Sequence, residues 1–169
     1  MAIPLVLLTF YRLLKRLWSK ENPTPLLPSS NGSSSKTSEL NWDELLKYVD
    51  YKSPELKLEL LNPRFTSEKL RIVIASLSSM TQTMFGKKLV ITRVWWHPGQ
   101  EADPDSAHRV ERWGICKGAD IRAFDYFLSY ELSQIEIFVN KGFPRSDDKK
   151  TIIIHGEGSN YHIHLQVEE

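Results

Sequence analysis

Between Asn41 and Val167 the apolar positions recur with two periods, helical and alternating, and together they set out an α+β domain. Asn41 is a good N-cap, Asp43 and Glu44 fall in the first turn, and Trp42, Leu45, Leu46 and Val49 share one face, so a short helix is expected there. Leu56, Leu58 and Leu60 alternate with Lys57 and Glu59 in the period of a half-buried strand that Pro63 closes. A second helix is expected after a Thr66 cap, with Phe65 and Leu70 as a hydrophobic staple. Leu70, Val73, Ile74, Leu77, Met80 and Met84 form its apolar face, and Gly86 stops it. The β-branched and aromatic run Leu89 to Trp96 predicts a strand delivering the loop His97 to Ala107. A third helix over about Tyr126 to Lys141 would bury Leu128, Leu132, Ile135 and Phe138, with Gly142 as its terminator. Strands at Thr151 to His155 and Tyr161 to Val167 then flank Gly156 to Asn160, a loop suited to a hairpin.

The sequence ahead of this domain has a different character. The apolar run Ile3 to Tyr11 is too short to span a bilayer. Arg12, Lys15, Arg16 and Lys20 follow it rather than precede it, the reverse of a secretory signal, which argues against ordinary secretion. Leu, Phe and Trp interleaved with these bases fit a weak membrane-surface helix as well as they fit a simple tail. Glu21 to Leu40 is rich in Pro, Ser and Asn and reads as a linker. The chain is thus expected to divide into an apolar-basic segment, residues 1–20, a flexible linker, residues 21–40, and one folded domain, residues 41–169.

Charge narrows the function. Net charge is +1 at pH 7, and the folded part carries no basic-aromatic stripe, so no nucleic-acid partner is expected. A single cysteine, Cys116, excludes an intrachain disulfide.

The chemistry gathers in Ser106 to Arg122 and in Tyr161 to Val167. His162 and His164, two apart on a strand, face the same way. With His108 upstream and Asp120 set beside Gly118 and Ala119, two imidazoles and one oxygen are on offer, with one imidazole over. Three such ligands leave the fourth position of zinc open, as catalysis requires. Gly118 and Ala119 permit close backbone packing, and Asp120 is read as a carboxylate held at the edge of a sheet. His155, on the adjacent strand, either joins this cluster or is a plain cross-strand histidine.

Ser-x-His, then Gly-Ala-Asp-Ile, then Gly-Phe after a helix, then His-x-His resembles the D-Ala-D-Ala metallopeptidase family, peptidase family M15, whose fold and zinc site hedgehog amino-terminal domains share. The similarity spans about Asn41 to Val167 and includes the order of the elements. It implies a small antiparallel sheet with helices packed on one face, and zinc held by His108, Asp120 and His164. It further implies hydrolysis of amides in peptidoglycan stem peptides, as carboxypeptidase or endopeptidase, with His162 or Glu157 as the group that takes the proton. A bacterial or phage protein directed at the cell wall would fit.

The chain departs from the family pattern in three places. His108 and Asp120 are 12 positions apart, which implies a loop inserted around Glu111 to Lys117, with His97 as a substitute ligand. The acid usual before the last ligand is replaced by Ser159-Asn160-Tyr161, so that Glu157 is the nearest carboxylate. The usual arginine is displaced, and Arg93, Arg109 or Arg122 would stand in, near Trp95 and Trp96. Cys116 is a buried thiol or, less simply, a further ligand. The missing acid leaves a rival expectation, a non-catalytic zinc domain of the hedgehog-like fold with a structural or partner-binding role.

Overall fold

The computed structural model describes residues 40–97 and 105–168, and within it Asn41–Glu169 forms one compact unit. The N-terminal segment, the linker and most of the loop after His97 lie outside the described residues.

Helix α1, Trp42–Leu45, is capped as expected, the Asn41 side chain accepting from Glu44 N. It ends four residues before Val49, which instead opens strand β1, Val49–Tyr51. The strand expected at Leu56 to Leu60 is helix α2, Pro54–Leu61. Pro54 sits in its first turn, where its fixed φ suits a helix, and Leu, Lys and Glu are good helix formers. Three alternating leucines are too few to oppose that. Leu60 is fully buried and Leu58 largely exposed, the pattern of a one-sided helix.

Helix α3, Glu68–Phe85, follows. Its cap is Ser67, whose Oγ accepts from Leu70 N, rather than Thr66. Thr66 is buried and donates to the Glu59 carbonyl at 2.7 Å, so its hydroxyl ties α3 to α2. Gly86 ends the helix as expected. Strand β2, Leu89–Arg93, leads through the short α4, Val110–Trp113, to β3, Gly118–Arg122. Helix α5, Ser129–Gly142, and the hairpin of β4, Ile152–His155, and β5, His162–Gln166, complete the domain.

The five strands form one sheet in the order β1-β2-β3-β5-β4. It is mixed rather than antiparallel, because β1 pairs parallel with β2 while the other three pairings are antiparallel. A parallel neighbour needs a long crossover, and α2 and α3 supply it. The fold class is therefore α+β, with a small mixed sheet and several helices.

Register separates the two faces. Leu89, Ile91, Ala119, Ile121, Ile152, Ile163 and Leu165 are buried and share one face, against the apolar sides of α3 and α5. Asp120, His164 and His162 alternate with them and emerge on the other.

An ion pair ties the segment after α3 to α5. Lys87 Nζ donates to Glu131 Oε2 at 2.6 Å and to the Tyr126 carbonyl at 2.9 Å, and Glu131 also accepts from Leu128 N. Burial pushes the Glu131 carboxyl up, but Lys87 and the Leu128 N–H outweigh it and hold it below its usual range. Glu131→Ala should lower stability at pH 7 by about 2–3 kcal/mol, because it strips a helix cap and leaves a half-buried ammonium with the Tyr126 carbonyl but no carboxylate. A carboxyl lowered in the folded state stabilises above its unfolded pKa of about 4.3 and loses that contribution as pH falls through the folded value. Denaturant melts should therefore show the deficit of the variant shrinking as the medium becomes strongly acid.

Candidate metal centre

β3 is the middle strand of the five, so Asp120 stands inside the sheet rather than at its edge. Its register partner on β5 is His164. On the other side a bulge in β2 sets Arg93 opposite Asp120, and Arg93 Nη1 reaches Asp120 Oδ2 at 3.3 Å. His108 arrives from the segment before α4. Lys117 N bonds the Ala107 carbonyl, and Gly118 admits Ala107 so closely that an added Cβ would lie 2.9 Å from the Ala107 Cβ. The segment between His108 and Asp120 is thus folded back on β3, and His108 is kept beside Asp120.

One carboxylate oxygen and two ring nitrogens converge. Asp120 Oδ1 lies 2.9 Å from His164 Nδ1 and 3.2 Å from His108 Nε2, and those two nitrogens are 3.4 Å apart. His108 and Asp120 are 2% and 5% exposed, so water does little to screen them. His108 Nδ1 donates to the Val94 carbonyl at 2.6 Å, which in a neutral ring leaves Nε2 as a lone pair. A lone pair aimed at a carboxylate oxygen needs a cation or a proton between them. Burial pushes the Asp120 carboxyl up, yet hydrogen bonds and charge interactions with His108 and His164 prevail and hold it far below the usual carboxylate range. Tetrahedral ligands at about 2.0–2.1 Å from zinc stand roughly 3.3 Å from one another, close to the separations found here.

His108, Asp120 and His164 therefore form a group that could hold a metal ion, and His155, His162 and His164 form a second. His162 Nδ1 donates to the Asn160 carbonyl at 2.5 Å, and its Nε2 lies 3.7 Å from Asp120 Oδ1. His155 is the register partner of His162, with ring centroids 4.5 Å apart. Burial, then the neighbouring His162 and His164, hold the His155 imidazole below its ordinary range.

Other expected participants are placed elsewhere. His97 Nε2 lies 2.7 Å from Glu59 Oε1, away from both groups. Glu59, a buried carboxylate that sequence patterning assigned to a strand surface, also accepts from Trp95 N. Trp95 Nε1 donates to Thr66 Oγ1, whereas Trp96 lies under the Arg93 guanidinium at 4.1 Å, so the two indoles do turn to different partners. Cys116 is fully buried, and burial pushes its thiol up to about 12. It is a packed thiol, not a ligand of either group. Glu157 is exposed on the loop before the 3-10 turn Gly158–Asn160 and belongs to neither group.

A cleft of about 750 Å³ opens beside the site. Asp120 and His162 reach it, the cations Lys52, Arg93 and Arg122 line it, and Phe124 and Tyr161 add aromatic wall. Tyr161 is carried in by the adjoining His162, whereas Lys52 has no motif around it, and nothing short of the sheet order would have brought it here. Searches against protein-family models and against curated proteins return no match to this chain.

Proposed function

We propose that the protein is a zinc-dependent hydrolase of amide bonds in peptidoglycan stem peptides, acting as a carboxypeptidase or an endopeptidase, with His108, Asp120 and His164 as the metal ligands. The observation that carries the proposal is the convergence of Asp120 Oδ1 with a tautomer-fixed His108 and with His164 at the side of an open cationic cleft. Zinc held there would act as a Lewis acid on the scissile carbonyl and lower the pKa of a water to about 7. Two imidazoles and a carboxylate leave it a coordination position for that purpose.

The residues of the chain do the rest. The Val94 carbonyl orients His108, and Arg93 holds the second oxygen of Asp120. Lys52 and Arg122 suit a peptide rich in carboxylates, as stem peptides are. His162 is the better proton acceptor of the two candidates, because its Nδ1–H is committed to Asn160 and its Nε2 lone pair faces the site. Glu157 would have to swing in from solvent to compete.

Purified peptidoglycan fragments incubated with the zinc-loaded protein, beside a chelator-treated control, provide the test. New peptide termini found by mass spectrometry only in the presence of metal are the expected result. A protein that holds zinc and cleaves none of several wall chemistries would instead be a zinc-binding domain without hydrolytic function.

A further inference from the structure

The three imidazoles of His155, His162 and His164 are more than a proton relay needs. β4 and β5 pair in a register that sets His155 directly across from His162, and His164 follows two residues on, on the same face. One ring nitrogen from each lies within 4.8 Å of the other two. The rings are tilted rather than stacked: His155 meets His162 at 54°, and His155 meets His164 edge-on at 86° with centroids 5.8 Å apart. His162 Nδ1 is bound to the Asn160 carbonyl, so the nitrogen left to it is Nε2. His164 faces Asp120 and His108 through Nδ1, and an imidazole carries its second nitrogen on the opposite side of the ring. His155 is exposed on the edge strand, so an ion can enter from solvent.

We propose that His155, His162 and His164 are a second transition-metal site, sharing the His164 ring with the Asp120 site through its other nitrogen. Three nitrogen donors without a carboxylate select an imidazole-preferring ion of the zinc, nickel or copper class over magnesium or calcium. The sharing rests on the first site being a metal site as well, and an ion in the second site takes the His162 Nε2 lone pair, so His162 acts as proton acceptor only while the second site is empty; the two sites are separable because His155 belongs only to the second group and His108 only to the first.

The full-length protein, stripped of metal and dialysed against zinc, is analysed for bound metal beside His155→Ala and His108→Ala, with circular dichroism to verify that each is folded. His155→Gln replaces His155→Ala if the edge strand needs the longer side chain. Wild type should retain about two equivalents of zinc and each variant about one. Wild-type protein with about one equivalent, kept in His155→Ala, would reduce the cluster to a cross-strand histidine contact and overturn the second site. About one equivalent kept in His108→Ala but lost in His155→Ala would uphold the histidine site and overturn the Asp120 site instead.

Discussion

His164→Ala is expected to lose zinc and to cut hydrolysis by roughly a thousandfold or more, the cost of several kcal/mol of transition-state stabilisation. His164 is the residue common to both metal-capable groups, so no single substitution should remove more. It also leaves Asp120 buried beside His108 with one partner gone. His162→Ala provides the contrast. It spares all three ligands of the Asp120 group, so zinc should stay bound there while kcat falls about 10²–10⁴-fold, the range for loss of a general base. Glu157→Gln should change kcat little, since that side chain stands in solvent. Metal content and kcat measured on the same preparations separate the three variants. A folded His164→Ala protein that keeps zinc and full activity would end the assignment of His164, Asp120 and His108 as the metal site of the hydrolase.

Elements with long, regular patterns were legible in the sequence. The six apolar residues from Leu70 to Met84 mark α3, and all but Met84 are buried. The pairing of His162 with His164 on one strand face follows from strand geometry and needs no tertiary knowledge. The short helix α2 was not legible, for a physical reason. Over five residues a two-residue period and a helical face both place leucines at the first and fifth positions, and only Pro54 and the helix-forming composition distinguished α2 from a strand. Misplacing α2 hid β1, and with it the parallel pair that makes the sheet mixed. Strand order is a tertiary property, which is why Asp120 was expected at an edge and stands on the middle strand.

The site shows the same division. Ligand types and their sharing of a face are written in the motif, but their supports are not. Val94 O behind His108, the bulge that turns Arg93 to Asp120, and Lys52 in the cleft come from the ends of β2 and β1 or the residues just past them, away from the motif in sequence. The pairing of His155 with His162 depends on a register set by the hairpin loop. That loop therefore has as much to do with the candidate metal centre as any of the side chains in it.

Gly156→Ala should accordingly be among the most damaging substitutions outside the core. Gly156 adopts φ 95°, a conformation strained for any side chain, and an added Cβ would land on the Asn160 carbonyl, 2.8 Å from its carbon. The obstruction is backbone and cannot rotate away, so the hairpin must open, at a cost of about 3 kcal/mol or more. In a domain of this size that corresponds to a fall in Tm of roughly 10 °C. The same Asn160 carbonyl accepts from His162 Nδ1, so the displacement carries directly to the proposed proton acceptor and to the pairing of His155 with His162. Gly158→Ala is the matched control: φ is also positive there, at 51°, but nothing lies within 4 Å of the added carbon, and the cost should be only about 1 kcal/mol. Thermal melts with and without zinc would test both variants. Equal losses at the two positions would mean that backbone conformation alone sets the hairpin, whereas the larger loss at Gly156, with weaker stabilisation by zinc, is the result expected if the close approach to Asn160 positions β5 for the metal.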